Sequence, residues 1–506
     1  MKKFVLLFIS FTIAGNFIIA QPVNEIKKLL ASDGAANDHF GYAVSISGDN
    51  AIVGAYNDDD YGIESGSAYV FYKDMGGSGN WGQVAKLTAA DAEAGDLFGI
   101  SVSISGDYAV VGSMEDYNGN EAGAVYLFNK DQGGANNWGQ IAKIVATDGS
   151  AGDRFGISVS IDDDLIIVGA FLDDDNGTNS GSAYLFYKNQ GGPGNWGQLI
   201  KLTATDGAAD DRFGNNVSIS DDYAVVGACY DDDNGSESGS AYVFYKDQGG
   251  SSNWGQVKKI IASDATAGDC FGISGSIYDD HILIGAMNAD PNGNNSGAVY
   301  LFGKDQGGSG NWGQIAKLIA SDGAQGDRFG YAVDISLEFA IVGALNDDDK
   351  GSESGSAYIF NKDQGGSNNW GQVEKIVASD AVSGELFGAA VGISSEYILV
   401  GANSDDDNGS ESGSAYVFMM SGTGIESYTA MVTTIFPNPT HGKVYFDLQQ
   451  IEPDKITVKD ITGKTLIESS EIQQNLILDL TFADPGIYLI FIQTVKKTIV
   501  KKIIRE

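Results

Sequence analysis

Apolar and polar residues alternate in short runs along most of the chain. Between Asn216 and Ser263 the runs read "NVSIS", "YAVVGA", "SAYVFYK" and "WGQVKKIIAS". β-branched and aromatic residues fill them, and Gly, Asn and Asp fill the gaps, which predicts four short strands joined by turns. Sustained helical spacing is missing, so the chain reads as all-β. The same four runs recur seven times. Phe-Gly marks each unit, at Phe40, Phe98, Phe155, Phe213, Phe271, Phe329 and Phe387, at spacings of 57 or 58 residues. "GSAYVF" or a close variant recurs with it, from Gly66 to Gly413. Seven units of four strands predict a seven-bladed β-propeller.

The fourth run opens on Trp81, Trp138, Trp196, Trp254, Trp312 and Trp370, and the seventh unit stops after Phe418 without one. Near the N-terminus, "NEIKKLLASD" (Asn24 to Asp33) aligns with "GQVKKIIASD" (Gly255 to Asp264), with Val23 at the tryptophan position. An N-terminal strand therefore completes the last blade and covers its open edge. The tryptophans read as packing anchors, with sugar stacking as the weaker alternative.

Residues 1–20 pair two lysines with an apolar run and end on Ala20, the pattern of a secretory signal peptide. The propeller spans 21–418 and a linker 419–434. The segment 435–506 alternates around Pro437-Asn438-Pro439, Thr462-Gly463 and Pro485-Gly486, which predicts a small Ig-like β-sandwich. No other stretch reaches membrane-spanning length, so the mature chain carries no predicted transmembrane segment.

The formal charge of −38 is concentrated before residue 435, because the tail carries nine basic and nine acidic residues. Such a field repels nucleic acid and anionic membranes and attracts cations. Two loops on one face hold much of it. The leading loop of each unit carries two acids five apart, such as Asp206 with Asp211, or Asp380 with Glu385. The loop after the second strand carries triple aspartates in five units. Clustered carboxylates with turn carbonyls suit a hard cation such as Ca²⁺. The candidate ligands are Asp58, Asp60, Asp173, Asp175, Asp231, Asp233, Asp347, Asp349, Asp405 and Asp407. The alternative is a solvated turn in which Asp and Asn bond their own backbone. Two units are degraded, keeping Glu115 with Asp116 in one and Asp290 in the other.

The repeats resemble the FG-GAP family, which also builds the propeller of integrin α-subunits. Phe-Gly, "VGA" and "GSAYVF" carry the resemblance. Integrin-type units that bind calcium place their aspartate loop between the first two strands. Here the aspartates follow "VGA", so that site does not transfer. The tail resembles the C-terminal sorting domain of the type IX secretion system of Bacteroidetes, through Pro437-Asn438-Pro439 with Gly442, Asp460 with Gly463-Lys464, Pro485-Gly486 with Tyr488, and the lysine-rich end. The resemblance implies passage through the outer membrane by the type IX machinery, removal of the tail, and release or attachment at the cell surface.

Catalytic signals are poor. His39, His281 and His441 do not repeat and lack metal-ligand spacing. "GSGNWG" at Gly77 has the spelling of a dinucleotide fingerprint but joins two strands. Cys229 and Cys270 are the only cysteines, open to a bridge between blades or to two separate buried thiols. The leading expectation is a secreted or surface-displayed binding or adhesion module with a glycan or protein ligand. The alternatives are a polysaccharide hydrolase or lyase, for which unlike polar residues from a few blades should meet at one pocket, and a structural surface-layer protein.

Overall fold

In the computed structural model the structure describes residues 23–115, 122–366 and 368–420, and within the tail 434–436, 440, 443–447, 455–460, 464–469, 475–493 and 498–505. The signal-peptide region, Asp116, most of the linker, Pro437-Asn438-Pro439, His441, Gly442 and Thr462-Gly463 lie outside the described residues. Every described element is a strand or isolated bridge; none is a helix.

Seven four-stranded antiparallel sheets form blades 1 to 7. Blade 4 runs Val217–Ser220, Tyr223–Ala228, Ser240–Tyr245 and Gly255–Ile260. The first strands of successive blades touch in ring order, and Ala43–Ser47 of blade 1 meets Ala390–Ile393 of blade 7. The first strands therefore surround the axis. A hydroxyl on each of several of them accepts the next blade's backbone N–H, as Ser160 does from Ile219 at 3.2 Å and Ser218 from Ile277 at 3.1 Å. In blade 6 that place belongs to Asp334, whose Oδ2 accepts from Ile393 N at 2.8 Å.

Blade 7 is completed as expected. Val23–Leu29 pairs antiparallel with Ser414–Met420, from Val23 opposite Met420 to Leu29 opposite Ala415. The third strand reaches Met420, two residues beyond the boundary read from the sequence.

The Phe-Gly dipeptide is the joint between blades. Phe213 donates its N–H to Ser180 O of blade 3 at 2.9 Å. Its buried ring meets the edges of Tyr242 and Phe244 in blade 4. Gly214 follows at φ 95°, and a Cβ there would stand 2.2 Å from Ser182 O of blade 3. Only glycine fits both the left-handed backbone and that approach. The apolar core is accordingly seven wedges, each shared by two neighbouring blades.

The tryptophans lie inside these seams. Trp81 of blade 1 sits edge-on to Tyr397 of blade 7, and Trp312 of blade 5 to Tyr223 of blade 4. All six are buried, which removes the sugar-stacking alternative: no ring face is available to a ligand.

The tail is a separate unit. One sheet orders Thr434–Phe436, Lys443–Asp447 and Asn475–Asp479. The other orders Thr465–Ser469, Lys455–Asp460, Gly486–Gln493 and Thr498–Arg505. Val444, Ile456, Val458, Leu478 and Ile490 join the two in one apolar core.

Candidate functional site

Antiparallel strand order brings the leading loop, the loop after the second strand and the end of the fourth strand to one face of each blade. In blade 4 the first aspartate of the triplet, Asp231, is 2% exposed. Its Oδ1 accepts from Asp233 N at 3.1 Å, and its Oδ2 accepts from Tyr242 Oη at 2.8 Å and Lys259 Nζ at 2.7 Å. Lys259, on the fourth strand, also pairs with Asp233 and with Asp206 of the leading loop. One ammonium thus ties three chain segments together. The middle aspartate, Asp232, accepts from Glu237 N and shapes the turn.

Four more blades repeat this staple. Lys86 joins Asp33, Asp58 and Asp60; Lys201 joins Asp148, Asp173 and Asp175; Lys375 joins Asp322, Asp347 and Asp349. In blade 7 the lysine is Lys28 of the N-terminal strand, bound to Asp380, Asp405 and Asp407. The ring is therefore closed by an ion cluster as well as by backbone pairing. Burial pulls the Asp231 carboxyl upward, but bonds from Lys259, the Asp233 amide and Tyr242 outweigh it and hold the group below its usual range. Burial opposes the charge on Lys259 and Lys28, and their carboxylate partners overcome it and raise both.

The ten aspartates named for calcium do come together, but as five pairs, each around a lysine. The residues do not fit a calcium ion there. A tethered ammonium already stands between the carboxylates, and the buried Asp231 oxygens are taken by N–H and O–H donors. Among the described residues no group of three or more His, Cys, Asp or Glu side chains is arranged to hold a metal. The missed signal was in the sequence: lysine recurs at one position of the fourth strand in all seven units, as Lys28, Lys86, Lys143, Lys201, Lys259, Lys317 and Lys375.

The two acids of the leading loop have opposite fates. The first, such as Asp206, meets the lysine. The second is buried at Asp38, Asp96, Asp153, Asp211, Asp269, Asp327 and Glu385, and accepts the N–H three residues earlier, as Asp211 does from Ala208 at 2.7 Å. Burial, only partly offset by the Ala35 N–H, pushes the Asp38 carboxyl up to about 6. Burial raises Asp153, Asp211, Asp327 and Glu385 in the same way.

Beside this repeating frame, one ring position varies from blade to blade. The residue before each Phe-Gly is His39, Leu97, Arg154, Arg212, Cys270, Arg328 or Leu386, always at a φ between 54° and 58°. Their side chains stand at the joints between blades, beside residues that follow the second strands. Arg154 Nη2 pairs with Glu115 Oε1 at 2.8 Å. The Arg212 guanidinium lies 4.2 Å from the Tyr230 ring and 6.0 Å from Phe171, and its buried Nε has no hydrogen-bond partner among the described residues. His39 stacks on Tyr56 at 5.4 Å, and Tyr42 meets Tyr56 edge-on at 4.5 Å. Apart from Arg505 in the tail, these three arginines are the only ones in the chain. Cationic and aromatic side chains thus stand at separate seams beside the aspartate loops, a feature hidden from the repeat pattern because it breaks the repeat.

Strand count, ring order and glycine joints define a seven-bladed repeat propeller. Seven stretches, residues 23–71, 81–128, 138–186, 196–244, 254–302, 312–360 and 370–418, match the FG-GAP repeat. The chain belongs to the FG-GAP repeat family. Each matched stretch starts on the fourth strand of one blade and ends on the third strand of the next, so the sequence repeat is offset from the blade by one strand. Residues 434–506 match the secretion system C-terminal sorting domain. That domain marks the protein for export by the type IX system to the extracellular space or the outer cell surface. No curated protein matches. Among solved structures, a hypothetical selenium-binding protein from Sulfolobus tokodaii is similar at 9% identity, with a TM-score of 0.45, over 68% of this chain and 82% of that one.

Proposed function

We propose that the propeller is an exported binding module that engages a surface glycan or protein on its aspartate-loop face, at the seams between blades. One observation carries this reading: an almost invariant scaffold holds unlike side chains at a single repeat position, with Arg212 against Tyr230 at one seam and His39 against Tyr56 at another. Aromatic faces with a partly unsatisfied guanidinium suit a ligand bearing hydroxyl or anionic groups. The Lys-bridged aspartates beside those seams support them as a rigid frame, and calcium is not part of the proposal.

The test is an array of glycans and extracellular proteins probed with the full chain and with Arg212→Ala. Arginine anchors commonly cost about 2 kcal/mol or more on truncation, so a true ligand should lose roughly thirty-fold in affinity. Equal binding by both proteins would remove the site from this face. The unlike polar residues at this repeat position also favour, as a second reading, a polysaccharide hydrolase or lyase. Release of new reducing or unsaturated ends from a bound glycan would put that reading first.

A further inference from the structure

Cys229 and Cys270 stand at one seam. Cys229 directly follows the second strand of blade 4, Tyr223–Ala228, and Cys270 directly precedes the first strand of blade 5, Phe271–Tyr278. In blades 7 and 1 the same two positions are Asn403 and His39, whose Asn403 O and Nδ1 lie 3.1 Å apart. Both residues are buried, and the Cys270 side chain is the largest influence on the Cys229 thiol. The flanking backbone is fixed from both sides. Cys270 N donates to Glu237 O and Phe271 N to Ser238 O, both at 3.0 Å, while Cys229 N donates to Asn215 Oδ1 at 3.3 Å.

The sorting domain sends the chain out of the reducing cytosol into compartments where paired thiols are oxidised and stay so. We propose that Cys229 and Cys270 form a disulfide that cross-links blades 4 and 5 in the exported protein. The two side chains interact across one seam, and each is anchored by the backbone bonds just described, which holds the pair in place for closing the bond. The oxidant is a disulfide carried by an extracytoplasmic dithiol oxidoreductase or a small molecule. One cysteine thiolate attacks it, forming a mixed disulfide and releasing one oxidant thiol. The second cysteine thiolate then attacks the cysteine sulfur of the mixed disulfide and releases the other oxidant thiol. Two protons and two electrons leave the protein, and the oxidant disulfide becomes two thiols.

Burial also fixes when this happens. Contact with Cys270 and desolvation hold the Cys229 thiol well above its ordinary value, and the Arg212 charge offsets this only in part. Once the seam has closed, a thiolate is scarce and reagents are excluded. The bond therefore forms while the seam is still open, and it resists reduction in the native state.

The experiment uses the full chain secreted through an oxidising compartment, denatured without reductant and treated with an alkylating agent. The expected result is no alkylated cysteine, a mass two hydrogens below the reduced chain, and a peptide pair joining Cys229 to Cys270. Two alkylated cysteines would overturn the proposal. In Cys229→Ser, Cys270 should become fully alkylatable after denaturation. A Cys270 that stays blocked there is held by something other than Cys229, which would equally overturn it. Dithiothreitol at native pH should leave the bond intact over hours and cleave it within minutes in denaturant. Cleavage at equal rates in both would refute the protected seam.

Discussion

Blades 4 and 5 are neighbours built on one pattern, and they differ where the aspartates meet the lysine. In blade 4, Asp231 is buried under Tyr242 and Lys259. In blade 5 the equivalent residue is Ala289, buried in the apolar wedge shared with blade 4. There Tyr300 donates to Asp264 at 2.8 Å and Lys317 pairs with the same carboxylate at 2.7 Å. Lysine, tyrosine and leading-loop acid therefore form a sufficient frame. The buried aspartate is an addition that makes its blade depend on a charge kept out of water.

The difference should be largest when the lysine is removed. Lys259→Met leaves Asp231 buried and unpaired, a loss of about 3–5 kcal/mol. Lys317→Met disturbs only a more exposed pair, worth about 0–1 kcal/mol. Urea unfolding of the full chain followed by tryptophan fluorescence measures both, and equal losses would contradict the staple. Lys28→Met should match Lys259→Met and add loosening of the ring closure, seen as early proteolysis near the N-terminal strand.

A smaller change converts one blade into the other. Asp231→Ala removes charge-assisted hydrogen bonds but leaves Lys259 with Asp206 and Asp233, a loss of about 1–3 kcal/mol. Combined with Lys259→Met it should restore much of what the lysine change alone removes. Additive losses would mean that the two side chains do not interact.

The pH profile separates the two kinds of carboxylate. Asp231 is lowered when folded, so its contribution is full above its unfolded value and is lost as pH falls through the folded one. Asp38 and Asp334 are raised to about 6, so their contribution is full below about 3.8 and is lost as pH rises through about 6. The melting temperature should therefore rise from pH 7.5 to about 5 and fall below about 3.8. A flat profile between 7.5 and 5 would show that the buried acids are not strained. The smallest effect belongs to calcium: equal melting in millimolar Ca²⁺ and in chelator, since only a ligand of the native state raises stability.

Most of the frame was legible from spacing. Phe-Gly, "VGA" and "GSAYVF" are joints where backbones nearly touch, so their glycines are forced and their period is the blade. The closing strand was legible because Val23–Leu29 repeats a pattern that the last blade lacks. The charge partner of the aspartates was not, because Asp231 and Lys259 lie 28 residues apart and acids read alone look like a cation site. The Arg212 cluster was hidden for the opposite reason. It is assembled from Phe171, Arg212 and Tyr230 of two blades, and no one unit contains it.

The strand Val23–Leu29 and its Lys28 bind residues 414–420 and Asp405, which a ribosome adds almost four hundred residues later. The first blade material made is thus the last to find its partner. Until then the growing chain is an open arc with a bare edge at one end and a lone strand at the other. Assembly is bound to wait for the whole ring, so a chain shortened before blade 7 has no partial form in which its two ends can meet.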